Sequence, residues 1–313
     1  MNFFKQTKSI EKSSWEEPST ELSPKLSSLP RESTFKGICM GLASAICFGL
    51  MSLIVRIAQQ FPTSQLMFAR GVIGVLLLSP FVFRDIPKLI HSNSAVLWLR
   101  FGAGAVASFS MFYNIQTSGV GPATALSNLA TVFVILLSVL ILKERFVKQQ
   151  WLGMVLVIAG AALLQSPVGF NVPIRGIIIG VSGAFASGIA MISLKKASKR
   201  FSANLVVWGF CFVILLVASS VPGPQWSFPY DSNILILGLS GLLGVVGQLF
   251  LTQSYLHLPA ALASTLTLSV LVWSVAFEAL YLQTLPEKVA CFCYALILLG
   301  LHLSHSAQMK TKS

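Results

Sequence analysis

Residues 116–145 read QTSGVGPATALSNLATVFVILLSVLILKER: a polar opening, a proline, a long apolar run and an abrupt close of charge. A second segment, starting at Gln253, follows the same plan: QSYLHLPAALASTLTLSVLVWSVAFEALYLQ. At an offset of 137, Gln116 meets Gln253, Pro122 meets Pro259 and Ser127 meets Ser264. Each proline stands at the mouth of its apolar run, where the first turn's N–H groups have no helical partner and a missing donor costs nothing. About 20 apolar residues at ~1.5 Å each span ~30 Å, the thickness of a bilayer's hydrocarbon core. Both segments are expected to be membrane spans.

Composition agrees. Of 313 residues, 55% are hydrophobic and only 10% charged, with a mean hydropathy of +0.78. A soluble domain of this length needs far more charge to cover its surface, so the class is a polytopic helical membrane protein. The net charge of +12 does not point to nucleic acid, because the bases cluster between apolar runs. All five cysteines lie in apolar runs, and Cys291 and Cys293 fall on nearly opposite helix faces. They read as packing residues, and neither metal nor cofactor is expected.

Residues 1–36 mix Ser, Glu, Lys and Pro without a helical period and are expected to form a disordered cytoplasmic tail. The first apolar run starts only at Gly37, so it reads as an uncleaved first span. Ten spans follow, near 37–57, 64–83, 94–116, 121–142, 150–167, 174–195, 203–222, 233–256, 259–282 and 288–307, then a short C-terminus, 308–313. With an N-terminus inside, 18 of the 22 Lys and Arg lie on the cytoplasmic side, counting Arg100 with the loop before span three. Arg56, Arg175 and Lys288 lie on the opposite side, and Arg70 lies within a span. This asymmetry places both termini in the cytoplasm.

Spans one and six also match, at an offset of 139: Gly37 with Gly176, Gly41 with Gly180, Ala45 with Ala184, Gly49 with Gly188 and Arg56 with Lys195. The chain thus divides into five spans over 37–167 and five over 174–307, and the odd number inverts one half against the other. The expected fold is all-α, ten transmembrane helices in two inverted five-helix repeats, an architecture of secondary transporters. Enzymes leave other marks: there is no nucleotide-binding glycine loop, HExxH, GxSxG or cluster of His with carboxylates.

The segment PTSQLMFARGVIG in span two, GPATALSNL opening span four, its close ILKER and the following WLGMVLVIAGAALL resemble the EamA-type branch of the drug/metabolite transporter superfamily over residues 35–307. The resemblance implies a carrier without ATP hydrolysis of its own. It matches Arg70 to the family's arginine of span two and Glu144 to the acid ending span four, with no acid at the corresponding place near Gln283 and Thr284.

Candidate site residues follow from polarity at helical spacing. Arg70 lies about 9 Å inside span two, too costly to face lipid, and reads as a fork for a carboxylate or phosphate or as a snorkelling helix clamp. Thr124, Asn128 and Thr131 form a stripe on span four, and Thr265, Ser269 and Trp273 one on span nine. Such stripes serve equally as interhelical glue or as substrate contacts. Tyr113, Asn114, Gln116, Gln248 and Gln253 add amides and a phenol beyond packing needs and favour a cavity. Glu278 reads as a proton-coupling acid or as an ion-pair partner of Arg70 or Arg56, and Glu144 as a gate or a helix-end anchor. The glycines at 238, 241, 244 and 247 read as tight packing or as a hinge. The expected substrate is a small zwitterion of the amino acid or S-adenosylmethionine type, with Arg70 on its carboxylate and Trp273 or an acid on its cation. Drugs or nucleotide sugars are the alternative cargo, a proton or counter-substrate could drive the cycle, and the expected location is a bacterial-type inner membrane. A membrane-embedded enzyme or a scaffold is the rival from another class.

Overall fold

The computed structural model describes residues 31–87, 89, 95–142, 149, 152–153, 155–156, 159–160, 163, 173–198, 200–220, 233–258, 260–283 and 288–310. Its helices are α1 (Arg31–Ile57), α2 (Thr63–Val82), α3 (Ala95–Ser118), α4 (Val120–Leu142), α5 (Ile174–Ala197), α6 (Ala203–Ser220), α7 (Asn233–His257), α8 (Ala260–Thr267), α9 (Ser269–Leu282) and α10 (Lys288–Lys310). The expected fifth span and the charged residues around Glu144 lie mostly outside the described residues. Among those described, α1 to α7 are each long and apolar enough to cross a membrane. Leu76, Leu235 and Leu280 stand about seven-tenths exposed or more on the outside of the bundle, as a surface covered by lipid requires.

Two boundaries differ from expectation. Helix α1 starts at Arg31, inside the segment expected to be a disordered tail, because Ser33 Oγ reaches His257 Nδ1 at 3.1 Å and ties the first turn to the end of α7. The expected ninth span breaks at Leu268 into α8 and α9. There Thr267 donates its hydroxyl to Ser264 C=O (2.6 Å), Ser269 to Leu266 C=O (2.7 Å), and Leu271 N–H reaches back three residues to Leu268 C=O. Hydroxyls that take nearby carbonyls tighten a helix locally, and here they interrupt it.

Packing is between the two halves of the chain. Helix α1 lies against α7, α8 and α9; α5 lies against α3 and α4; α2 crosses α6. The glycines paired by sequence make these approaches possible. A Cβ on Gly49 would stand 2.8 Å from Trp273 Cβ, and one on Gly188 would stand 2.7 Å from Phe133 Cβ. Trp273 and Phe133 are 140 apart, as are the first residues of α2 and α6 (Thr63, Ala203) and of α4 and α8 (Val120, Ala260). These contacts and helix starts thus follow an offset of 140, three more than the 137 suggested by the prolines.

The joint between α3 and α4 is a single residue, Gly119, with φ of 92°. Only glycine adopts that conformation cheaply, so the chain reverses with no intervening loop. Beside it, Gln116 donates its amide to Phe61 C=O (2.7 Å) and accepts from Thr63 Oγ1, closing this end of the bundle against the start of α2.

Candidate functional site

A cavity of about 170 Å³ is lined by residues of α1 to α9. Its floor is cationic. Arg70, from the middle of α2, is 3% exposed and donates Nη2 to Gly244 C=O at 3.2 Å. Room for it comes from the glycines of α7: a Cβ on Gly244 would stand 2.9 Å from Arg70 Nε, and one on Gly241 would stand 3.2 Å from Arg70 Cα. The strip therefore serves close packing here.

Arg100, from α3, is 1% exposed and, among the described residues, is the largest side chain buried so completely. Its guanidinium carbon lies 4.8 Å from the centroid of the Phe210 ring, and that of Arg70 lies 5.4 Å from the same centroid. Gly104, one turn on from Arg100, leaves the space: a Cβ there would press on Arg100 Nη1 and stand 2.8 Å from Phe210 Cε2. Attraction of each cation to the ring is worth ~0.5–2 kcal/mol, whereas burying an ion costs several. Among the described residues neither guanidinium has an acidic partner, and each Nε is buried without a hydrogen bond.

Around these two cations the wall is amide and hydroxyl. Asn114 donates to Ser110 C=O at 3.1 Å, leaving its Oδ1 unpaired, and Asn128 Nδ2 and Gln248 Nε2 are also unpaired. Tyr255 shares a hydrogen bond with Ser264, and both line the cavity. Among the described residues no carboxylate does so. Buried donors without partners are costly in a finished core and suit a site completed by a ligand.

Of the residues expected at the site, Arg70, Asn114, Asn128, Thr131 and Gln248 line the cavity. The others do not. Thr124 turns its hydroxyl back to Val120 and Gly121 C=O (2.7 and 2.9 Å), and Ser269 donates to Leu266 C=O across the break between α8 and α9. Gln116 serves the helix end, while half-buried Tyr113 and Gln253 stand off the lining. Trp273 is 37% exposed and stacks on Phe277, outside the cavity. The side chain of Thr265 and all of Glu144 lie outside the described residues. Glu278 sits at the end where Gly119 turns: it accepts the N–H groups of Val120 and Gly121, with Arg56 Nε 4.0 Å from its Oε1.

The sequence reading missed Arg100, Phe210, Tyr255 and Ser264. Arg100 carried a usable signal, since it falls within its own apolar span; proximity to Arg84 and Lys88 placed it with the loop charges. Removing it from that count leaves the charge asymmetry standing.

Apolar helices, lipid-facing outside and polar at the centre, describe a membrane transport protein. The chain belongs to the EamA-like transporter family, which matches residues 35–166 and 174–305. An uncharacterized transporter of Helicobacter pylori (strain ATCC 700392 / 26695) is 31% identical over 90% of this chain and 98% of its own. The pseudopaline exporter CntI of Pseudomonas aeruginosa (strain UCBPP-PA14) is 26% identical over 81% and 90%, and mouse solute carrier family 35 member G1 is 26% identical over 82% and 76%. One solved crystal structure superposes with a TM-score of 0.68 over 88% of this chain and 99% of its own, at 15% identity, a likeness of fold.

Proposed function

We propose that this transporter moves a small anionic metabolite by alternating access, with Arg70 as the anchor for the substrate's negative group. The carrying observation is Arg70 itself, 3% exposed at mid-helix, lining the cavity and lacking an acidic partner among the described residues. The proposed architecture is ten helices in two inverted repeats, 37–167 and 174–307, in a bacterial inner membrane with both termini cytoplasmic. Two family matches of similar length and the packing of each half on the other support it. The cavity is below the ~300–1,000 Å³ of drug-sized sites, which favours a small metabolite over drugs or nucleotide sugars. A zwitterion would need a partner for its cation; Trp273 lies off the lining and no carboxylate among the described residues stands there, so the proposal narrows to the anionic group.

The test is a thermal-shift screen of the purified protein against a metabolite library, since only ligands of the folded state raise its stability. Organic anions should stabilise the wild type and lose most of that effect in Arg70→Gln, with Arg70→Lys between them. Stabilisation by uncharged compounds alone, unchanged in Arg70→Gln, would refute the proposal.

A further inference from the structure

We infer that Arg70 and Arg100 form one two-point site for a solute carrying two separate anionic groups, a dicarboxylate-type organic acid; this rests on the anion-carrier reading and extends it. The first observation is geometric. Both guanidiniums lie against Phe210, so their carbons stand no farther apart than the sum of 4.8 and 5.4 Å, a gap a short diacid bridges. Their anchor points differ, however. Arg70 comes from α2 and is fixed on Gly244 C=O, whereas Arg100 rises from α3 past Gly104. Two forks approaching from different helices meet two carboxylates better than one.

The second observation is electrostatic. Like charges that share a buried ring repel, and each has already lost its water. A monoanion neutralises one of them and leaves the other uncompensated at mid-membrane, where charge is expensive. A dianion neutralises both. Asn128 Nδ2 and Gln248 Nε2, both on lining residues and unpaired, add donors to the same cavity.

The experiment uses the full chain, purified, with succinate, lactate and glycerol 3-phosphate as probes and dissociation constants read from thermal shifts. Wild-type protein should bind succinate at least tenfold more tightly than lactate. Arg100→Gln should weaken succinate at least tenfold and lactate by a clearly smaller factor, so that the preference falls. Arg100→Lys, which keeps the charge without the planar fork, should reduce the preference three- to tenfold and serves as the readout if the glutamine variant does not fold. Equal weakening of both acids by Arg100→Gln, or an unchanged preference in Arg100→Lys, would overturn the two-point site while leaving the anion carrier intact. Tighter binding of glycerol 3-phosphate than of succinate, with the same dependence on Arg100, would replace the dicarboxylate by a phosphate monoester. Binding of every acid unaffected by Arg70→Gln would remove the anion-carrier reading and this inference together.

Discussion

The guanidinium of Arg100 lies 4.8 Å from the centroid of the Phe210 ring, on a helix other than the one that carries the ring. That contact links α3 to α6, and the matching contact of Arg70 links α2 to the same residue. Phe210 is therefore a shared support for both cations. Phe210→Leu keeps most of the apolar bulk and removes the ring face, so it should cost ~1–3 kcal/mol, seen as a lower thermal midpoint, and should weaken anion binding several-fold. Phe210→Tyr should retain the contact. A leucine variant with wild-type affinity would show that the ring does not position the arginines.

Gly104→Ala tests the same support from the other side. The added methyl would crowd both Arg100 Nη1 and Phe210 Cε2, so binding should fall even though alanine favours the helix. Gain of helicity without loss of binding would contradict this placement.

At the turn between α3 and α4, Gly119→Ala puts a side chain at φ of 92°. A loss of ~1 kcal/mol or more is expected, measured as a lowered melting temperature. Gly102, where a Cβ meets nothing within 4 Å, is the control: Gly102→Ala should be neutral or stabilising.

Glu278 accepts two backbone N–H groups of α4 and faces Arg56, away from the cavity lining. This favours a role in holding that end of the bundle. Glu278→Gln should lower stability and flux together, and Glu278→Ala more so, since glutamine still offers a carbonyl to the same N–H groups. Wild-type exchange combined with abolished pH-driven accumulation in the glutamine variant would restore the coupling role considered from the sequence.

How much was legible before the structure depended on which property of a residue carried the information. Span positions followed from apolar length, and Arg70 stood out because a lone cation in an apolar run has no cheap alternative. Gly49 and Gly188 were recognisable because a close approach leaves a small residue in each half. The stripe of Thr124, Asn128 and Thr131 was only half informative: a hydroxyl on the right face can still fold back onto its own carbonyls, as Thr124 does. For spans four and nine the prolines suggest an offset of 137, which pairs Ser127 with Ser264, whereas the helix starts and glycine contacts follow 140, which pairs Ser127 with Thr267; all three line the cavity. Phe210 was invisible as a site residue, since one phenylalanine among 22 carries no sign of the cations that rest on it.

As proposed, the cavity is an anion site opened alternately to the two sides of the membrane. Counterflow in proteoliposomes measures this directly: vesicles preloaded with an unlabelled organic acid that binds are diluted into the labelled acid. The wild type should take up label transiently and saturably, faster than vesicles loaded with buffer, and Arg70→Gln should abolish the acceleration. Uptake that is linear in concentration, indifferent to the acid inside and equal in Arg70→Gln would contradict it.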